Sequence, residues 1–268
     1  MGLIGKAIGM FKKQKMGVIG KDKEDIRDHI HDKPINNSTL ASGRNIYTLR
    51  PYLYGVKNQG SVNACTGYAI AYAVQILWGK AYSKLSERTQ KCVDPFNPLY
   101  VYYYARKEGG LEGGDNGAYV RDSLKALKNY GIPYYQDNKV TSVYKEPTQD
   151  IKTFKTGEYL RIPDTYECVD RMCYVLEQEK LPIIASIKLI REGTNATTGM
   201  ITLPQKGTLN GYHAICIIGT RYIDGELCFE FVNSWGGFWG DHGFGYFKAS
   251  DVNKGILNDI WTFSNLTW

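Results

Sequence analysis

The chain has 268 residues, 43% of them hydrophobic and 22% charged, with a formal net charge of +6. That is enough apolar material for a sizeable core, as one large domain or two lobes, and no run approaches the roughly 18 apolar residues of a membrane span. Five lysines (Lys6, Lys12, Lys13, Lys15, Lys21) and no acid fall within residues 1–21, so the remainder is close to neutral, which argues against a nucleic-acid surface on the body.

Residues 1–43 read as a basic N-terminal arm. Leu3, Ile4, Ala7, Ile8 and Phe11 can form one face of a short amphipathic helix ringed by Lys6, Lys12, Lys13 and Lys15. The apolar stretch from Ala7 to Phe11 is too short for a secretory signal, and Lys6 stands where a myristoylation signal needs Ser or Thr. The plain reading of the arm is a solvated or partner-bound tail. The sharper one is a contact with a partner protein or a membrane surface. His29 and His31 have metal-like spacing, but in this polar setting they read as solvated, and no metal or cofactor is expected.

From Arg44 the chain takes on the character of an ordered body. Tyr68 to Trp78 carries apolar residues at three- and four-residue steps and is expected to be a helix, with Asn63 as its N-cap. Further helices are expected over Leu99 to Lys107, rich in tyrosine, and over Tyr119 to Tyr130, ended by Gly131 and Pro133. The glycine-rich loop at 109–117 lacks the Gly-Lys-Ser/Thr ending of a phosphate cradle. Residues 134–163 read as an irregular crossing, followed by a short helix at 167–179 and a buried strand from Leu181 to Ile187. Tyr212 to Thr220 and Leu227 to Asn233 are strands joined across Asp224-Gly225, a hairpin turn signal. Helices followed by strands imply an α+β protein.

Six cysteines are present (Cys65, Cys92, Cys168, Cys173, Cys216, Cys228) and none forms a CxxC pair, so a zinc knuckle or a thioredoxin-type site is not expected. Cys65 stands out. It falls in the first turn of the helix after Asn63, where exposed N–H groups and the helix dipole favour a thiolate. Gln59, six residues upstream across a Gly-Ser turn, can fold back to present an amide donor beside the sulfur. The base has to be one of four histidines. His29 and His31 lie in the arm, and His242 sits in a glycine turn where a solvated side chain is the simplest account. His213 opens an apolar strand whose hairpin partner ends in Asn233. An amide there can accept from one ring N–H, set the tautomer and leave the other nitrogen for the sulfur.

Gln59 through Cys65, Gly211-Tyr212-His213-Ala214, and Val232 through Gly240 with its Asn-Ser-Trp-Gly core together resemble the papain family of cysteine peptidases over residues 44–268. His213 lies 148 residues after Cys65, within the roughly 130–150 typical of that family. The resemblance implies a two-lobed papain-like fold, with a helical lobe over about 44–135 and a β lobe over about 160–268. It implies Cys65 as nucleophile, His213 as base and later acid, Asn233 as orienting residue and Gln59 as oxyanion donor with the Cys65 N–H. Trp235 would shield the His213–Asn233 bond. Asn116-Gly117-Ala118-Tyr119 would bind an extended peptide by its backbone, and Tyr212, Ala214 and Trp235 complete the substrate-binding set.

Val62 stands where secreted members carry a disulfide cysteine, Thr66 where an aromatic residue is usual, and Ala118 where the family has glycine. The usual long inhibitory prosegment is not expected in the 43 residues of the arm. The implied activity is a thiol endopeptidase or amidase acting on polypeptides through a thioester, in a cytoplasmic or virion-associated setting. The alternative is an assembly component of a virion that carries a papain-like body anchored through its arm. A third reading places the arm in the cleft as a short autoinhibitory segment.

Overall fold

The computed structural model describes residues 16–35, 46–82, 96–134, 142–148 and 150–267. The amphipathic helix expected at 3–11 lies outside them. A short strand β1 (Tyr47–Thr48) leads, after a 3-10 turn at Arg50–Tyr52, to helix α1 (Cys65–Tyr82). Every residue from 64 to 79 is buried, so α1 is a core helix packed on all sides and not a surface helix with one apolar stripe. Helix α2 (Pro98–Glu108) starts where Asn97 Oδ1 accepts from Leu99 N at 3.0 Å, with Pro98 at its first position. Tyr100, Tyr102 and Tyr104 bury inward, and Tyr104 stacks on Tyr130 with ring centres 4.0 Å apart. Helix α3 (Val120–Asn129) buries Val120, Leu124 and Leu127.

The expected crossing is less irregular than the sequence suggests. It contains β2 (Lys155–Thr156) and β3 (Tyr159–Arg161), and β3 becomes an edge of the main sheet. Helix α4 (Cys168–Tyr174) continues through one π-helical turn, Val175–Glu179, to Lys180 in the left-handed region at φ 57°. Then come β4 (Ile183–Ile190), β5 (Met200–Ile201), β6 (Leu209–Ile223), β7 (Glu226–Val232) and β8 (Phe244–Lys248). A short helix α5 (Ala249–Val252) precedes β9 (Leu257–Phe263) and β10 (Leu266–Thr267). The β6–β7 turn has Asp224 at φ 51° and Gly225 at φ 79°, the two positive values that match a hairpin turn to the strand twist.

The main sheet runs in the order β3-β9-β4-β6-β7-β8-β5, with β1 added on β6, and all its pairs are antiparallel except β5–β8. Helix α1 packs against α2, α3 and β6. Its N-terminus therefore meets the sheet at the start of β6, where His213 lies. This is an α+β fold in which helical and β layers meet at Cys65.

Two local expectations need correction. Asn63 does not cap α1. The helix begins at Cys65, and Ala64 O accepts from Tyr68 N at 3.1 Å. The Asn63 side chain instead donates to Asp115 O at 2.5 Å, which takes it away from the helix end. Nor is His31 solvated. It is buried, with its Nε2 2.8 Å from Glu179 Oε2, because residues 16–35 lie on the body and do not form a free tail. His29, in contrast, is an exposed partner of Glu158. His242 is exposed as expected.

Candidate active site

Cys65 is fully buried, and its sulfur sits among backbone amides. Ala214 N donates to Sγ at 3.4 Å, and the amides of Gly17, Thr66 and Cys65 itself also point at it. These donors favour a thiolate, as the helix-start argument anticipates, but burial outweighs them and pushes the thiol up to about 11. The local dipole loses to desolvation.

His213 stands on β6, whose Cys216 pairs with Val232 of β7, so Asn233 continues along the hairpin toward the imidazole. Asn233 Oδ1 accepts from Ser234 N at 2.7 Å and lies 2.8 Å from His213 Nε2. The Ser234 bond fixes which end of the amide is oxygen. Nε2 is then the ring nitrogen that carries hydrogen, and Nδ1 holds the lone pair. Nδ1 is buried without a hydrogen-bond partner among the described residues. Trp235 covers this pair, its ring centre 4.6 Å from that of His213, and Trp239 meets Trp235 edge-on at 5.3 Å. Burial pulls His213 down to about 4 although the Asn233 bond acts in the opposite direction. Burial thus disfavours the charged form of both groups, the thiolate and the imidazolium.

Gln59 is held from both ends of its side chain. Ser234 Oγ donates to Oε1 at 2.5 Å and Nε2 donates to Val62 O at 2.7 Å, while Gln59 N donates to Ser234 O at 2.8 Å. The loop ahead of Cys65 is thus laced to the residue that follows Asn233. Sequence reasoning named Gln59 and missed Ser234, although it lies inside the Asn-Ser-Trp-Gly motif.

The groove beside Cys65 is filled by the chain's own arm. Gly17 O accepts from Ala118 N at 2.8 Å, and Val18 N donates to Tyr212 O at 3.4 Å. Val18 is buried, pairing in parallel with Ala118 and antiparallel to Tyr212. A Cβ on Gly17 would lie 1.8 Å from Asn63 O, so at this point the slot takes only glycine.

Beyond the groove the arm is held by polar contacts. Asp22 N donates to Asp259 Oδ2 at 3.0 Å, and Asp22 Oδ2 accepts from Arg121 N at 3.1 Å and Trp261 Nε1 at 3.2 Å. Asp28 accepts from Arg121 at 2.5 Å and from Arg161 at 3.1 Å. Residues 29–31 then line the edge of the sheet, with His31 N donating to Arg161 O and Arg161 N to His29 O, both at 2.8 Å.

The structure thus brings Cys65, His213, Asn233, Trp235, Ala214 and Gln59 to one place, with Gly117, Ala118 and Tyr212 along the occupied groove. Asn116 is exposed at its rim, and Tyr119 heads α3, its carbonyl accepting from Ser123 N at 3.2 Å. Among the described residues no group of side chains could hold a metal ion, and no helix is long and apolar enough to cross a membrane.

The model of the family described as papain family cysteine protease matches residues 44–262. An uncharacterised peptidase C1-like protein of Acanthamoeba polyphaga mimivirus is 25% identical over 241 residues, covering 84% of this chain and 74% of that protein. Xylellain, a cysteine protease from Xylella fastidiosa, superposes with a TM-score of 0.76 at 24% identity, over 95% of this chain and 97% of its own. The bromelain protease of Ananas comosus, solved in complex with the E64 inhibitor, gives 0.64 at 20% identity, over 82% and 99%.

Proposed function

Because the chain belongs to the papain family of cysteine proteases, we propose that it is a thiol peptidase whose nucleophile is Cys65, with His213 as base and Asn233 as the residue that orients it. The observation that carries this reading is the Asn233 amide. Locked by Ser234 N, it leaves His213 Nδ1 as an open acceptor on a strand whose next residue, Ala214, donates to the Cys65 sulfur.

In the proposed reaction the Cys65 proton passes to His213 Nδ1 and the sulfur attacks the carbonyl carbon of a peptide bond. The resulting oxyanion is held by the Cys65 N–H and by Gln59 Nε2. Collapse breaks the C–N bond, and the imidazolium gives its proton to the leaving amine. Water, deprotonated by His213, then attacks the thioester and releases the acid and the thiol. Trp235 keeps solvent away from the His213–Asn233 bond. The substrates are polypeptides, paired through the Gly117–Ala118 backbone.

In the conformation described the enzyme is latent. The arm presents Gly17 N–H to the sulfur, not a carbonyl carbon, and the Gly17 carbonyl is engaged by Ala118 N. It fills the groove without offering a bond to cleave, while burial disfavours the charged forms of thiol and imidazole. Residues 16–35 of the arm pack on the chain's own body, which weakens the assembly-component reading.

The test is labelling with an epoxide inhibitor of the E64 type, the class of ligand bound in the bromelain structure. Stoichiometric labelling at Cys65, slow in the intact chain, faster in Gly17→Val, and lost in Cys65→Ala and His213→Ala, is the expected result. Equal labelling of Cys65 and the other thiols in Gly17→Val would sink the proposal.

A further inference from the structure

One carboxylate connects the two walls of the groove. On one side lies the turn before the nucleophile. Asp115 Oδ1 and Oδ2 accept from Asn63 N at 3.0 and 3.2 Å, and Asp115 O accepts from Asn63 Nδ2 at 2.5 Å. With the Asn63 backbone N–H and side chain both taken, its carbonyl is aimed into the groove, against the arm at Gly17. On the other side lies the peptide-pairing segment. Tyr102 OH donates to Asp115 Oδ1 at 2.8 Å and accepts from Gly117 N at 3.0 Å, immediately before the Ala118 amide that binds the arm.

Gly117 is buried at φ +90°, and a Cβ there would lie 2.3 Å from Gly17 O. Small displacements of this wall would therefore be felt directly by any peptide in the groove. Tyr102 is itself immobilised. Its side chain is fully buried under the Arg106 guanidinium, 4.6 Å from the ring centre, and Arg106 also donates to Gly114 O. Residue 62, where a disulfide would tie this turn in secreted members of the family, is valine.

We propose that Asp115, acting through Tyr102, is a positioning residue that sets the spacing between the Asn63 carbonyl and the Ala118 amide, and so the fit of an extended peptide over Cys65. This rests on the peptidase reading above. The carboxylate touches neither the sulfur nor the scissile bond. Tyr102 relays it to the wall that binds peptide backbone, while its bonds to Asn63 hold the turn that leads into α1. The two branches predict different defects. Cutting the Tyr102 branch loosens peptide pairing and leaves the nucleophile alone. Altering Asp115 disturbs both.

The test uses the full-length Gly17→Val chain, whose arm cannot seat, with Tyr102→Phe or Asp115→Asn added. Two substrates are compared, a peptide with several residues before the scissile bond and a single-residue amide too short to reach Ala118. Tyr102→Phe is expected to raise KM for the long peptide on the order of tenfold with kcat within about threefold. The short substrate and the rate of alkylation by iodoacetamide should stay unchanged. Asp115→Asn should raise KM for the long peptide and also slow alkylation. Equal changes for long and short substrates in Tyr102→Phe, tracking a fall in Tm, would overturn the proposal.

If the Gly17→Val chain cleaves neither substrate, the peptidase reading fails by itself, and amide hydrogen exchange decides the positioning role. Faster exchange at Gly117 and Ala118 in Tyr102→Phe supports it. Unchanged exchange overturns it.

Discussion

Two stretches of chain meet at the Cys65 sulfur, and they are held in opposite ways. Helix α1 is buried from Cys65 to Gly79 among apolar side chains, a set of contacts that is lost only with the fold. The arm from Met16 to Ile35 buries few apolar groups, chiefly Val18, and depends on Asp22, Asp28 and His31 against polar partners. Polar seats of this kind can be exchanged for water at small net cost. In the proposed peptidase the nucleophile therefore stands on a helix packed on all sides, and its cover is held chiefly by polar contacts. A protease that must be both well formed and silent needs that asymmetry.

The largest expected effect tests the fixed side. In the Gly17→Val background, Cys65→Ala or His213→Ala should lower kcat by about 10⁴-fold or more, with Tm preserved. Gln59→Ala comes next, with a loss of about 10²–10³ in kcat for a missing oxyanion donor, read in the same peptide assay. An undiminished rate would mean that the amide held by Ser234 and Val62 has no part in catalysis.

Gly17→Val tests the releasable side, because its Cβ would meet a backbone oxygen on α1's own approach. The initial rate on an added peptide should rise on the order of 10–100-fold over the parent chain. An unchanged rate would show that the arm leaves the groove freely and does not hold the chain latent.

The smallest effect is one of pH. Asp22 and Asp259 are raised by burial and then, for Asp22, by the charge of Asp259; Asp22 reaches about 7. Arg121, Arg161 and Lys21 oppose the rise, Asp122 adds to it, and Asp28 is engaged by Arg121 and Arg161. A carboxyl whose pKa is higher seated than free holds its proton more tightly when seated. Seating is then strongest below the ordinary carboxylate range and is lost as pH rises through about 7. Glu179 has the opposite sign. Burial raises it, but hydrogen bonds from His31 and Lys33 bring it below its usual value, so its contribution is lost only in acid, outside this window. Cys65 alkylation in the parent chain should therefore approach that of Gly17→Val as pH goes from about 5 to about 8. Asp259→Asn, which suits the left-handed backbone at φ 50°, should flatten that approach. A parallel pH course in all three chains would exclude the acid pair as part of the latch.

Cys65, His213 and Asn233 could be read from sequence because each sits in a short stretch whose local chemistry, at a helix start, a strand start or a hairpin end, already suggests a role. The hairpin at Asp224-Gly225 was legible for the same reason. What failed was set by distant partners. Asn63 looks like a cap until Asp115, 52 positions away, claims its side chain. His31 looks solvated until Glu179, 148 positions away, buries it. The helix start favours a thiolate at Cys65 locally, but burial of the sulfur reverses the outcome. Gly17 offered no signal, since its requirement comes from a carbonyl on another segment. Asp22 meets Asp259 across 237 positions, a pairing of two like charges that no local rule suggests.

The ion pairs of Asp28 with Arg121 and Arg161 lie about ten residues beyond Val18. A segment that slips out of the groove while these hold remains tethered beside it, at a local concentration on the order of millimolar. Dilution cannot wash such an occupant away, and an incoming polypeptide must outcompete it in every encounter. For the proposed peptidase, activity would then be a property of how much substrate is present, low among scarce chains and rising where they are crowded. Without cleavage of the tether, the same molecule falls silent again when they are gone.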